Sequence, residues 1–167
     1  MDHREMVPEE LTDNPFKLIG ADWMLITAGR PDGFNTMTAS WGGLGVLWER
    51  KVCFIFVRPT RHTYGFLERA GMFTLSFFDE QFRAALRFCG TRSGRDTDKV
   101  QGTGLTPAGE GETVWFREAR LVLACRKLYV QDLGPERFLD RRIEDLYPQK
   151  DYHRMYVGEI MRCLVRG

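Results

Sequence analysis

The chain has 167 residues and a mass of 19.4 kDa, the size of one ordinary domain, and 43% of it is hydrophobic, which excludes intrinsic disorder as its general state. Its 19 Arg and 5 Lys stand against 23 acids, and a net charge of +1 argues against a protein built to coat nucleic acid or an anionic membrane. There is no run of 18 apolar residues, no apolar leader after the charged start and no CxxC among Cys53, Cys89, Cys125 and Cys163, so a soluble cytoplasmic protein with reduced thiols is expected.

In chain order, residues 1–14 form an acidic arm with five acids against one Arg, ahead of a single domain over 15–167. Residues 16–28 read as a strand. Gly29-Arg-Pro-Asp-Gly33 is a turn, because Pro presets φ and Gly accepts a positive φ after Asp. Residues 35–40 then return as the second strand of a hairpin. The continuous apolar run 51–57 fits a strand buried on both faces. Thr60 and Asp79 are candidate N-caps of two short helices, each with apolar residues at i, i+3, i+4 and i+7, and a β-rich run over 72–78 separates them. Ser93 to Asp96 has capping-box spacing for a third helical turn. Residues 103–111 are turn-rich, and two long β patterns follow at 119–130 and 155–165. Between these lies a charged excursion, 132–152, with ten charged residues, two prolines and one expected helix at 138–146. Six strands without βαβ alternation predict a mainly β protein, an antiparallel sheet closed into a small barrel with short flanking helices.

Three clusters carry candidate chemistry. In 35–43, strand alternation puts Met37, Ala39 and Trp41 on one side and Thr36, Thr38 and Ser40 on the other, suiting an anionic group beside a flat ring; the same pattern also describes a strand facing water. The second, Arg58-Pro-Thr60-Arg61-His62-Thr63, opens a helix where free amides and the positive helix end favour an anion. Residues 49–69 hold five cations against two acids, although ordinary capping with surface arginines would look alike. The third, 89–99, has small residues that let backbone approach a ligand, with Lys99 as a point charge. Cys89 falls on an apolar helix face, as a packed thiol would, and spacing alone makes His153 an exposed loop residue. No nucleophile–base pair, metal cage or carboxylate dyad stands out, so no catalytic side chain and no metal is assigned. An anion site beside an aromatic platform points to a cofactor that carries the chemistry.

Five strings occur in order: Asn35-x-Met-Thr-x-Ser40-Trp41-Gly-Gly, Val57-Arg58-Pro-Thr60-Arg61-x-Thr63-Tyr64, Phe73-Thr-Leu-Ser-Phe77, Cys89-Gly-Thr-x-Ser93-Gly94-Arg-Asp-x-Asp-Lys99 and His153-x-x-Tyr156-x-Gly-Glu-Ile160. Together they resemble the flavin reductase-like, FMN-binding split-barrel family, most closely its flavoredoxin branch, over residues 16–165. The resemblance implies a six-stranded Greek-key split barrel, a homodimer and one FMN per subunit near the dimer interface. It further implies two-electron transfer through the flavin, from NAD(P)H or from a redox partner protein. Carried over by position, Asn35, Thr38, Ser40 and Trp41 line the isoalloxazine and ribityl chain, and Arg58, Thr60, Arg61 and Thr63 hold the phosphate. Ser93, Gly94 and Lys99 close over the flavin, and His153 reaches it. Met37, Ala39, Tyr64, Cys89 and Gly90 complete the cofactor-binding set.

The chain ends at Gly167, directly after its last strand, whereas relatives of this branch often continue with a segment that packs an aromatic near the flavin. The excursion 132–152 is expected to take that place. Two alternatives to a reductase accompany the reading: a flavin-binding carrier or sensor reduced by a partner protein, and a nucleic-acid-binding barrel, against which the charge balance weighs.

Overall fold

A computed structural model describes residues 2–167. Strand β1 (His3–Met6) is followed by a 3₁₀ turn at Pro8–Glu10 and one π-helical turn at Phe16–Ala21. Then come β2 (Met24–Arg30), β3 (Gly33–Ala39), β4 (Gly42–Leu47), β5 (Arg50–Val57), helix α1 (His62–Arg69), β6 (Met72–Phe77) and helices α2 (Arg83–Thr91) and α3 (Lys99–Thr103). A hairpin, β7 (Pro107–Glu110) and β8 (Thr113–Phe116), precedes the two long strands β9 (Leu121–Asp132) and β10 (Arg154–Arg166). The main sheet is antiparallel in the order β3-β2-β6-β9-β10-β5-β4. β5 pairs with Arg154 to Glu159 of β10, and β1 takes the same flank farther along, opposite Cys163 to Arg166.

β2 and the first half of β9 are buried on both sides, which is why they read as continuous apolar runs. Neighbouring residues of one strand enter different cores. Ile26, Leu121 and Leu123 join Ile55, Val57, Phe73, Leu75, Phe77 and Tyr156 inside the barrel. Leu25, Val122 and Leu164 point the other way, packing with Leu86, Leu105 and Phe116 beneath α2 and the β7–β8 hairpin. At Gly158 a Cβ would stand 2.5 Å from the Phe73 ring, so glycine there is what lets Phe73 lie across β10. Over the same gap Cys53 and Cys125 bring their sulfurs to 3.5 Å, and all four cysteines are free and buried.

The six expected strands are β2, β3, β5, β6, β9 and β10. Two more join the sheet, and neither has alternation long enough to betray it: the glycine-rich β4 and the four-residue β1. The arm is fixed by charge as well as by strand pairing, with Glu5 on Arg162 (2.6 Å), Glu9 on Lys51 (2.5 Å) and Asp13 on Arg120 (2.7 Å). Several local expectations are corrected. The strand expected from residue 16 starts at Met24. Leu18 and Ile19 are buried from the π-helical turn instead, and Trp23, at φ +69°, redirects the chain into β2.

Thr60 does not cap α1, because its hydroxyl donates to Asp151 Oδ2 at 3.3 Å and Arg61 takes the N-cap position. Asp79 caps nothing with its carboxylate, which is held by Arg166. At Ser93 the expected turn forms, its Oγ accepting from the Arg95 amide at 3.2 Å and its carbonyl from the Asp96 and Thr97 amides, while the cap of α3 is Asp98, accepting from the Gln101 amide at 3.0 Å. In the excursion the expected helix is a pair of 3₁₀ turns, Pro135–Arg137 and Arg141–Leu146. There Asp140 accepts from the amide of Arg142, a local bond that competes with α-helical pairing. Among the described residues, no helix is long and apolar enough to cross a membrane.

Candidate functional site

Two adjoining clefts share one residue, Arg61. The first, of about 190 Å3, is lined by Met37, Thr38, Ala39, Ser40 and Trp41 at the end of β3, by Phe56 on β5, and by Arg58, Arg61 and His153. The second, of about 220 Å3, lies between the start of α1 (Thr60, Arg61, His62, Thr63) and the end of α2 with its following turn (Gly90 to Arg95), with Lys99 at its base. Residues far apart in sequence meet here because β3, β5 and β10 deliver their ends to one edge of the barrel.

The hydroxyls of the first strand are largely committed within the protein. Thr36 is buried against Thr27 at 2.8 Å, and Thr38 donates to the Leu86 carbonyl at 2.5 Å, tying β3 to α2. What β3 offers the first cleft is Met37, Ala39, the turn at Ser40 and the half-exposed ring of Trp41, 5.1 Å from the His153 ring. Asn35 is buried and donates to Thr63 Oγ1 at 2.7 Å. It opens toward a third depression beside Gly94 and Lys99 rather than toward the first two. At Gly94 an added Cβ would lie 2.0 Å from Asn35 Oδ1, so this turn approaches β3 as closely as only glycine allows.

Charge is unevenly answered across the site. Arg61 carries a buried Nη2 with no hydrogen-bond partner, and burial first, then Arg58, lowers its pKa. Lys99 is 7% exposed and donates to the carbonyls of Thr36 (2.7 Å) and Cys89 (3.0 Å) without meeting a carboxylate. Its pKa falls to about 8, mainly through burial, with Arg61 adding and Cys89 opposing. At the start of α1 the Arg61 and Tyr64 amides already donate to the Arg58 and Arg61 carbonyls, which leaves those of His62 and Thr63, two residues that line the second cleft. Burial, followed by Arg95, also lowers His62. Arg58, by contrast, is held by the excursion: Asp151 at 2.8 Å, the Leu146 carbonyl at 2.8 Å and the Tyr147 ring 4.6 Å from its guanidinium. His153 is buried beside it, and burial, helped by Arg58, pushes its pKa down to about 4, so it is neutral at ordinary pH.

Two of the sequence-derived candidates point elsewhere. Tyr64 sits on the opposite side of α1, where its ring lies 5.8 Å from the Arg154 guanidinium, with Glu68 nearby. The Cys89 thiol is sealed in the core under α2, and burial pushes it up to about 11; only its carbonyl serves the site, through Lys99. His153 is not an exposed loop residue, since the excursion folds over it. Sequence reasoning missed Phe56, which alternation along β5 could have revealed. It also missed Tyr147 and Asp151, for which no pattern exists. Among the described residues, no three His, Cys, Asp or Glu side chains gather as a metal cluster would require.

Residues 17–167 match the family described as flavin reductase like domain. No curated protein shows significant sequence similarity to this chain. Among solved structures, a flavoredoxin from Methanosarcina acetivorans superposes with a TM-score of 0.66 at 20% identity, over 87% of this chain and 68% of that one. The flavoredoxin of Desulfovibrio vulgaris (Miyazaki F) gives 0.67 at 19%, over 98% and 76%. An FMN-binding protein from Thermus thermophilus, solved with p-hydroxybenzaldehyde, gives 0.67 at 19%, over 99% and 81%. At such identities the likeness speaks for the fold alone.

Proposed function

The chain belongs to the flavin reductase-like domain family, and from that premise we propose that it is an FMN-binding oxidoreductase that passes electrons from NAD(P)H through the bound flavin. The observation that carries the reading is the buried, unpartnered Nη2 of Arg61, beside a buried Lys99 that has no carboxylate partner. A guanidinium desolvated without an acceptor is costly, and a phosphate in the second cleft would supply one. Gly94, with no room for a Cβ, fits the same picture of backbone drawn close around a ligand.

Arg61, Lys99 and the amides of His62 and Thr63 would hold the phosphate, with the Thr63 hydroxyl oriented by Asn35. Met37, Ala39, Ser40, Trp41 and His153 would border the flat ring in the first cleft. Bound FMN would supply the two-electron chemistry itself. The chain's side chains bind and orient it.

Self-association belongs to the same proposal. β4 ends the sheet order, so its outer backbone groups are unpaired, and beside it Val46 (76% exposed) and Trp48 (53%) stand out with Tyr129, 5.8 Å from the Trp48 ring. A second copy of the chain would cover this face. Sedimentation should show a dimer that Trp48→Ala weakens, and a wild-type monomer at micromolar concentration would refute this part.

The test of the main reading is a visible spectrum of protein purified without added flavin, followed by anaerobic addition of NADH and then NADPH. A flavin spectrum that bleaches establishes the reductase and names its donor. Bound flavin that persists, yet bleaches with a reduced partner protein, makes the chain a carrier. A colourless protein that does not take up FMN overturns the reading.

A further inference from the structure

Tyr147 lines neither cleft. Its hydroxyl nevertheless lies 2.6 Å from Nδ1 of His153, and both side chains are buried. The Tyr147 ring is fixed from both sides, by Phe138 stacked at 6.0 Å and 17° and by the Arg58 guanidinium at 4.6 Å. His153 in turn forms part of the first cleft beside Trp41. With Nδ1 taken, Nε2 is the ring nitrogen left for the cleft, and it has no protein partner among the described residues.

A neutral imidazole has one donor and one acceptor nitrogen, and the bond made by one decides the state of the other. Between a phenol and an imidazole the stronger pairing has the phenol donating, since the phenol is the stronger acid and the imidazole nitrogen the stronger base. Arg58 over the ring reinforces that donation. Burial keeps His153 uncharged, with Arg58 acting in the same direction and Asp151 against it, so Nδ1 is free to accept.

We propose that Tyr147 is a positioning residue that locks His153 in its Nε2–H tautomer, so that this wall of the cleft presents a hydrogen-bond donor to a carbonyl oxygen or unprotonated ring nitrogen of the bound flat ligand. A ligand offering a donor at that point is disfavoured, which makes the pair a determinant of specificity. The ligand's identity as FMN rests on the cofactor reading above. The tautomer does not, because it is a property of the protein alone.

The experiment is a long-range 15N–1H correlation on flavin-free protein at pH 7.5, with His153 assigned by comparison with His153→Gln, together with FMN titration of wild type and Tyr147→Phe. The expected result is a single Nε2–H tautomer in the wild type, mixed tautomers in the variant, and FMN binding weakened about fivefold, the range of one neutral hydrogen bond. An Nδ1–H tautomer in the wild type, or a variant unchanged in tautomer, overturns the inference. A locked tautomer that Tyr147→Phe releases, in a wild-type protein that takes up no FMN, supports the positioning role and sinks the cofactor reading instead.

Discussion

The second cleft and the excursion that walls the other end of the site both bring cations to the same barrel edge, but they treat them oppositely. In the cleft, Lys99 is buried with only carbonyls for company, and half-buried Arg61 has one buried guanidinium nitrogen with no partner. At the excursion, Arg58 is matched by a carboxylate, a carbonyl and an aromatic face. Burying an unanswered charge opposes folding, whereas an answered one braces the structure. The difference separates two arginines that sit three residues apart in one motif: Arg61 keeps a buried nitrogen without a partner, and Arg58 is already used to dock the excursion.

The largest expected effect tests that division directly. Arg61→Ala should weaken FMN by about 1.5–3 kcal/mol, the value of a lost charged hydrogen bond. Without flavin, its melting temperature should hold or rise, because the removed group was desolvated and unpaired. Fluorescence titration and thermal melts would read both. Gly94→Ala comes next: with Asn35 Oδ1 only 2.0 Å from the new Cβ, overpacking should destabilise the protein by about 1–3 kcal/mol in urea unfolding.

Arg58→Ala should do less to flavin binding, about 1 kcal/mol, and should act by loosening the excursion, seen as faster proteolysis within 133–152. Equal flavin losses in the Arg58 and Arg61 variants would erase the distinction between the two ends.

The smallest effects are in pH. Lys99 has a folded pKa of about 8 against an ordinary 10.5, so between these values the unfolded chain holds more protons. Stability of the flavin-free protein should therefore rise with pH across that window. His153, at about 4 against 6.5, has the same sign lower down: stability falls as pH drops from 6.5 toward 4, and His153→Gln should flatten that slope. Bound FMN should raise the Lys99 pKa, so flavin uptake near pH 8–9 should take up protons, measurable by calorimetry in buffers of different ionisation heat.

Much of this architecture was legible in residue order. Strands β2, β5, β6 and β9 declared themselves through apolar runs that are buried on both faces over much of their length, whereas β3 was legible as the return from the turn at 29–33. That the residues around Thr60 to Thr63 line a cleft was legible from the cations of 49–69 and the helix start beside them. Strands β1 and β4 were not, since four residues or a glycine-rich stretch give no period to read. Helix caps were misplaced at Thr60 and Asp79 because each side chain found a partner far along the chain, Asp151 and Arg166, that outweighed its own local amides.

The sequence by itself determined the mainly β class, the motif-bearing strand ends and the family, because these rest on local periodicity and on residues close together in order. Tertiary structure alone decided which hydroxyls were spent internally, that Tyr64 and Cys89 face away from the clefts, and that the excursion returns over His153 to engage Arg58. Those outcomes depend on contacts between residues up to about ninety positions apart, such as Arg58 with Asp151. No local pattern records such a pairing, since only the closed barrel brings its two partners into reach.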